Sequence, residues 1–211
     1  MIIDTHIHES KYSGDSLMTL EEVVDAAINI GLDGICITDH ESMEIKSEAL
    51  ALSNKKNFPI IVGAEFLTYE GDVLVFGLDS LPDEKIHLNE LLDMVDKCGG
   101  VAIAAHPYRK NNRGLEDNIK IAENLHGVEC LNGSTPKDLN YLAYKVCLER
   151  GLATFGGSDS HITKKVGCFA TEFLMEINNL NDFIYAVKNK LTRPVMYSEN
   201  GFVNIENYLC N

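Results

Sequence analysis

The sequence predicts an α/β fold built around a largely parallel sheet. Short apolar runs alternate with stretches of helical period along the whole chain, the mark of strand–helix units. Several runs are almost wholly apolar, as in strands buried on both faces. Histidines and carboxylates recur just past the ends of these runs, where parallel α/β folds gather their active sites.

Residues 2–7 form the first run. Thr19 and Glu22 then make a capping box, with Thr19 as N-cap. Leu20, Val23, Val24, Ala27 and Ile28 fill one helical face, and Gly31 stops the helix. Residues 34–38 read as the second strand, 42–53 as a helix, 59–64 as the third strand and 73–78 as the fourth. Leu88, Leu91, Leu92 and Val95 space a helix that ends at Gly99 and Gly100. A fifth strand follows at 101–105, a helix at 115–125 and a sixth strand at 128–131. Leu139, Leu142, Ala143, Val146 and Cys147 mark the next helix, closed by Gly151, before a seventh strand at 152–156. The tail offers an extended stretch at 168–173, a helix at 181–190 and a short run at 194–197. Residues 109–114 are polar and read as a mobile loop.

Composition narrows the function. The 211 residues carry 18 Lys and Arg against 32 Asp and Glu, a net charge of −14. That balance argues against a protein that coats long nucleic acids, which needs a basic footprint. No apolar run of about 20 residues suggests a membrane span, and the N-terminus lacks the pattern of a signal peptide. Cys36, Cys98, Cys130, Cys147, Cys168 and Cys210 are widely spaced. Cys36, Cys130 and Cys147 read as buried small hydrophobes, and a reducing, cytoplasmic setting is expected.

Five of the seven histidines fall at strand ends: His6 and His8, His40, His106 and His161. Glu65 and Asp159 lie at two such ends as well. Imidazole and carboxylate together suit divalent metals of intermediate hardness. His6 and His8, two apart on a strand, face the same way, and so do Asp159 and His161 if strand geometry persists there. His87 and His126 flank helices, where surface or capping roles are expected. Because side chains from His6 to His161 must meet, residues 1–211 are expected to form one domain.

His6-x-His8, Thr38-Asp39-His40, Glu65, His106-Pro107 and Gly157-Ser158-Asp159-Ser160-His161 together resemble the ordered motifs of the PHP (polymerase and histidinol phosphatase) family. The resemblance implies a distorted seven-stranded β/α barrel, similar to a TIM barrel, with its metal site at the C-terminal ends of the strands. It implies two or three divalent ions (Zn, Mn or Fe). His6, His8, Glu65 and Asp159 would hold the first, and Asp15, His40 and His161 the second. Glu65, Asp72 and His106 would hold the third, with Glu65 bridging. Asp72 stands where family members often carry His and Asp15 where some do, and either could instead be a turn residue. Asp4 and Asp39 would orient ligand imidazoles or serve as strand-end structure.

The expected activity is phosphoester hydrolysis of a small phosphorylated molecule or nucleotide. It would proceed by in-line attack of a metal-bridging hydroxide on phosphorus, with Glu65, Asp159 and His161 at the reacting centre. Arg109 and Arg113 could bind the phosphate, with Lys164 and Lys165 at the rim and Asn132 facing the cleft. Solvated loop charge is the equal alternative for Arg109 and the favoured one for Arg113, and a turn with Gly133 is the equal alternative for Asn132. Hydrolysis of amides or lactones, action on nucleic-acid ends, and a non-catalytic metal-binding module remain open from sequence.

Overall fold

The computed structural model describes residues 1–205 and Tyr208; Cys210 lies outside the described residues. In chain order the strands are β1 (Ile2–Ile7), β2 (Gly34–Ile37), β3 (Ile60–Val62), β4 (Ala64–Leu67), β5 (Asp72–Phe76), β6 (Val101–Ala104), β7 (Gly127–Asn132), β8 (Ala153–Gly157), β9 (Phe169–Phe173), β10 (Thr192–Ser198) and β11 (Gly201–Asn204). They form two mixed sheets. The first runs β11-β10-β9-β1-β2-β3 and the second β4-β5-β6-β7-β8.

This corrects the expected seven-stranded barrel: the sheets do not close into one ring. Two isolated bridges, Ile7 with Ser160 and His40 with Glu65, tie the sheets together instead. The pairs β1–β2, β2–β3, β6–β7 and β7–β8 are parallel as expected. Around β5 and β9 the pairing is antiparallel. The expected third strand divides at Gly63 into β3 and β4. A Cβ at Gly63 would lie 2.5 Å from the Phe76 ring and 2.6 Å from the Val75 carbonyl, so only glycine lets the chain pass from one sheet to the other.

The helices are α1 (Leu20–Asn29), α2 (Lys46–Lys56), α3 (Leu88–Lys97), α4 (Lys137–Arg150) and α5 (Leu180–Lys188). The Thr19–Glu22 capping box forms, satisfying backbone donors at the start of α1. Leu20, Val23, Val24 and Ala27 pack in one cluster with Ile7, Ile35 and Ile37. Leu88, Leu91, Leu92 and Val95 of α3 do the same with Val73, Val75, Ala102 and Ala104. Ile3, Cys36 and Ile61 of the first sheet join Leu74, Phe76, Ile103 and Phe155 of the second, with Phe183 of α5 against them. Each such fully buried large side chain stabilises the fold by about 1.5–3 kcal/mol.

Two helix expectations change. Helix α2 begins at Lys46 rather than near residue 42. The expected helix over 115–125 reduces to a 3-10 turn, Glu116–Lys120. Glu116 and Asn124 sit at positive φ (48° and 57°), which no continuous right-handed helix accepts. Leu115, Ile119, Ala122 and Leu125 are still buried, so the apolar spacing is real but is met by irregular turns. Among the described residues, no helix is long and apolar enough to cross a membrane.

Candidate metal centre

The strand ends bring the predicted residues together. His6 is the penultimate residue of β1 and His8 follows the strand, both fully buried. Their Nε2 atoms lie 3.0 Å apart. Asp159 Oδ1 is 3.6 Å from His6 Nε2 and 3.5 Å from His8 Nε2. Glu65 supplies Oε1 at 3.6 Å from His6 and Oε2 at 3.5 Å from His8. Two compact donor trios result, His6–His8–Glu65 and His6–His106–Asp159, which share His6 and suit the imidazole and carboxylate ligation of a divalent cation.

The same carboxylate reaches two further groups. His40 Nδ1 is 2.9 Å from Glu65 Oε2, and His40 Nε2 is 3.2 Å from Asp15 Oδ2. His161 Nε2 is 3.3 Å from the same Asp15 oxygen. Asp15 is 58% exposed, so this group sits at the mouth. On the other side, His106 Nε2 is 2.8 Å from Glu65 Oε1 and 3.7 Å from Asp72 Oδ2. Asp72 is fully buried at the start of β5, not an exposed turn residue. Its Oδ1 has no hydrogen-bond partner among the described residues. An orphaned buried carboxylate oxygen is costly, and a cation beside it removes that cost.

Local backbone geometry aims these groups. Asp159 (φ 51°) and His106 (φ 29°) are left-handed, a conformation that costs non-glycine residues about 1–3 kcal/mol. This corrects the expectation for Asp159 and His161. Strand β8 ends at Gly157, so no strand geometry carries through; a turn brings His161 Nδ1 to 3.8 Å from Asp159 Oδ1. Gly71 (φ 148°) lets the turn before Asp72 lie against the 113–115 backbone, where a Cβ would come within 2.8 Å of three backbone atoms. Asp72 N–H then donates to the Arg113 carbonyl at 2.7 Å.

Burial disfavours a proton on His6, but Glu129, Asp159 and Glu65 outweigh it and hold the ring well above the ordinary histidine range. Burial pushes His8 down to about 4, with His6 and His40 adding to the effect. Burial opposes ionisation of Glu65 and Asp159, yet His6 and its neighbours keep both well below the usual carboxylate range. Burial and Glu65 together raise Asp72 to about 6. One proton or one cation between the two Nε2 atoms satisfies this charge pattern, and metal binding at such sites releases protons.

The loop residues divide. Arg109 pairs with Asp159 and also reaches His106 Nε2 at 3.0 Å. Arg113 Nε donates to Asp72 Oδ2 at 2.6 Å. Both line a cavity of about 340 Å³ with Asp15, His40, Asn111, Ser134, Asp159 and His161. Lys164 and Lys165 are exposed, in a short 3-10 turn. Asn132 is a correction: it is fully buried and its amide is consumed internally. Its Nδ2 donates to Glu129 and Asp159, and its Oδ1 accepts from Ser134 N–H and the Thr135 hydroxyl. Asp4 takes the second of its two expected roles, strand-end structure: its carboxylate accepts from the backbone N–H groups of His6, Ser158 and Gly167 and from the Ser158 side chain. His87 is the N-cap of α3, and His126 Nδ1 accepts from Ala102 N–H. A larger depression, about 570 Å³, lies at the opposite strand ends among Met1, Asp33 and Pro59, with no histidine in its lining.

A PHP-associated family model matches residues 137–192. The chain is also 30% identical over 142 residues to the uncharacterised protein MJ1587 of Methanocaldococcus jannaschii, covering 63% of this chain and 82% of that one. The chain belongs to the PHP family. Solved structures share this PHP fold at low identity. A protein of Bifidobacterium adolescentis assigned as a metal-dependent phosphoesterase superposes with a TM-score of 0.69 at 18% identity, over 89% of this chain and 96% of that one. An amidohydrolase from Chromobacterium violaceum gives 0.66 at 18%, over 88% and 96%. The lesion-specific endonuclease EndoQ of Pyrococcus furiosus gives 0.67 at 16%, over 89% of this chain and 56% of that longer one.

Sequence motifs gave no role to two buried residues that touch the PHP cluster. Ser13 Oγ donates to Asp39 Oδ1 at 2.9 Å, accepts from His40 N–H at 3.0 Å and lies 3.3 Å from His8 Nδ1. Asp39 therefore acts through Ser13 rather than on an imidazole directly. Glu129 contacts His6. The one signal for it in the sequence is a carboxylate inside an otherwise apolar strand, which is rare without a partner.

Proposed function

We propose that this PHP protein is a metal-dependent phosphoesterase acting on a small phosphorylated molecule or nucleotide. The observation that carries the proposal is the buried His6–His8–Glu65–Asp159 donor set beside two arginines in one cavity. In this reading His6, His8, Glu65 and Asp159 hold one divalent ion, and Asp15, His40 and His161 a second. Glu65, Asp72 and His106 hold a third, with Glu65 shared. Such ions, when bound, lower the pKa of water and offset charge on phosphoryl oxygens.

The chain's own residues do the rest. Nδ1 of His8 lies against Ser13, leaving Nε2 directed inward. The guanidiniums of Arg109 and Arg113 face Asp159 and Asp72. Once those carboxylates are neutralised, both guanidiniums can turn to an anionic group, for which their forked donors are suited. His161 and Asp15, at the mouth, meet the substrate side of the cleft. Two arginines favour a phosphate ester over a neutral amide or lactone. The net charge of −14 disfavours long nucleic acid. The widely spaced cysteines support a cytoplasmic setting.

The test is turnover by metal-stripped protein reloaded with Mn²⁺ or Zn²⁺. Phosphorylated metabolites and nucleotides are compared with amides and lactones. Turnover confined to the phosphate esters is expected, and turnover of amides or lactones alone contradicts the proposal.

A further inference from the structure

Glu129 sits in the middle of β7 and is 0% exposed. A carboxylate there must be compensated. Its Oε1 lies 3.0 Å from His6 Nδ1. Its Oε2 accepts from the His106 backbone N–H at 2.8 Å and from Asn132 Nδ2 at 2.9 Å. Asn132 Nδ2 lies in turn 3.3 Å from Asp159 Oδ2. One carboxylate thus ties together three residues that the proposed centre uses, from three different strand ends.

We propose that Glu129 is a positioning residue of the metal centre. With Oε2 already accepting from two donors, Oε1 of Glu129 is placed as the acceptor for His6, which fixes the proton of His6 on Nδ1 and turns Nε2 toward Nε2 of His8. A hydrogen-bonded carboxylate on the far ring nitrogen also makes a ligand imidazole more basic. The bond to His106 N–H holds that residue in its left-handed turn (φ 29°), which directs its ring at Glu65. Neighbouring sequence makes room for this arrangement. A Cβ at Gly157 would lie 2.4 Å from Glu129 Oε1 and 2.6 Å from His6 Cβ, so any larger residue there would separate the pair.

The inference rests on the reading of His6, His106 and Asp159 as ligands, and the experiment separates the two. Zinc affinity is measured by competition titration for the wild type and Glu129→Gln, with folding checked by circular dichroism. Glutamine offers one acceptor oxygen where the carboxylate meets donors on both sides. Ring ¹⁵N and ¹H spectra of the zinc-loaded wild type report where the His6 proton sits. The expected result is a slowly exchanging Nδ1 proton on His6 in the wild type. In the variant, zinc affinity should fall about 10–100-fold and the His6 proton should exchange faster. A merely structural Glu129 would lower stability but leave zinc affinity and the His6 proton signal of the folded protein unchanged, and that result overturns the inference. If the variant does not fold, the wild-type spectrum decides: a His6 that carries its proton on Nε2 and binds zinc through Nδ1 overturns it. A wild type that binds no zinc removes the metal centre itself, whereas one that binds zinc no more tightly than Glu129→Gln removes only the role of Glu129.

Discussion

Asp72 Oδ2 accepts from Arg113 Nε at 2.6 Å, joining a wholly buried carboxylate to a guanidinium that is 34% exposed. The pair crosses from the start of β5 to the loop after His106, and so fastens that loop over the cavity. Removing the cation would leave Asp72 charged and buried. Arg113→Ala is expected to lower the stability of EDTA-treated protein by about 1–2 kcal/mol, a buried-pair loss discounted for the exposure of Arg113. Added Mn²⁺ should shrink that loss, because a cation between Asp72, Glu65 and His106 replaces the missing charge. Urea denaturation with and without Mn²⁺ measures both; a loss that Mn²⁺ does not alter would argue against an ion there.

Ser13 meets three groups with one hydroxyl: it donates to Asp39, accepts from His40 N–H and lies 3.3 Å from His8 Nδ1. Ser13→Ala should therefore cost about 1–3 kcal/mol of stability for the buried groups left unpaired. It should also weaken Mn²⁺ affinity by about 10-fold, because the His8 ring loses its anchor. Isothermal titration with Mn²⁺ checks the second effect, and unchanged affinity would show that His8 needs no such support.

His126, far from the cluster, gives a pH dependence of known sign. Burial lowers its pKa below the ordinary histidine value, and Lys188 adds to the effect. Its Nδ1 accepts from Ala102 N–H at 3.3 Å, which requires the neutral ring. The folded protein thus resists protonation at His126 and the unfolded chain does not. This contribution to stability is present above the unfolded pKa and is lost as pH falls through the lower, folded value. His126→Asn keeps an acceptor without the titration. Its stability should fall less than that of the wild type between pH 7 and pH 5; parallel curves would refute the assignment.

Much of this was legible in the residues themselves, for physical reasons that can be named. The Thr19–Glu22 capping box and the apolar spacing of α1 and α3 are local signals, and they placed those helices. The strand-end histidines were legible because parallel strands gather their ends on one face. The direction of β5 and the break at Gly63 were not, since pairing partners are chosen by tertiary contact and an apolar run reads alike in either sense. The turn over 116–120 kept its helical apolar spacing while Glu116 and Asn124 adopted left-handed backbone. Ser13 and Glu129 carry no motif of their own. Their significance lies in contacts across 26 and 123 residues of sequence, to Asp39 and to His6.

The central claim is that His6, His8, Glu65 and Asp159 form an ion-binding, reactive centre. The most direct measurement titrates metal-stripped wild type and His8→Ala with Mn²⁺, counting bound ions and following phosphate-ester turnover in the same samples. The wild type should bind two or three ions and gain turnover as they bind. His8→Ala should hold at least one ion fewer and lose more than about 100-fold in turnover, beyond the 10–100-fold typical of residues that only support a ligand. Equal metal content and equal turnover in the two proteins would contradict the account.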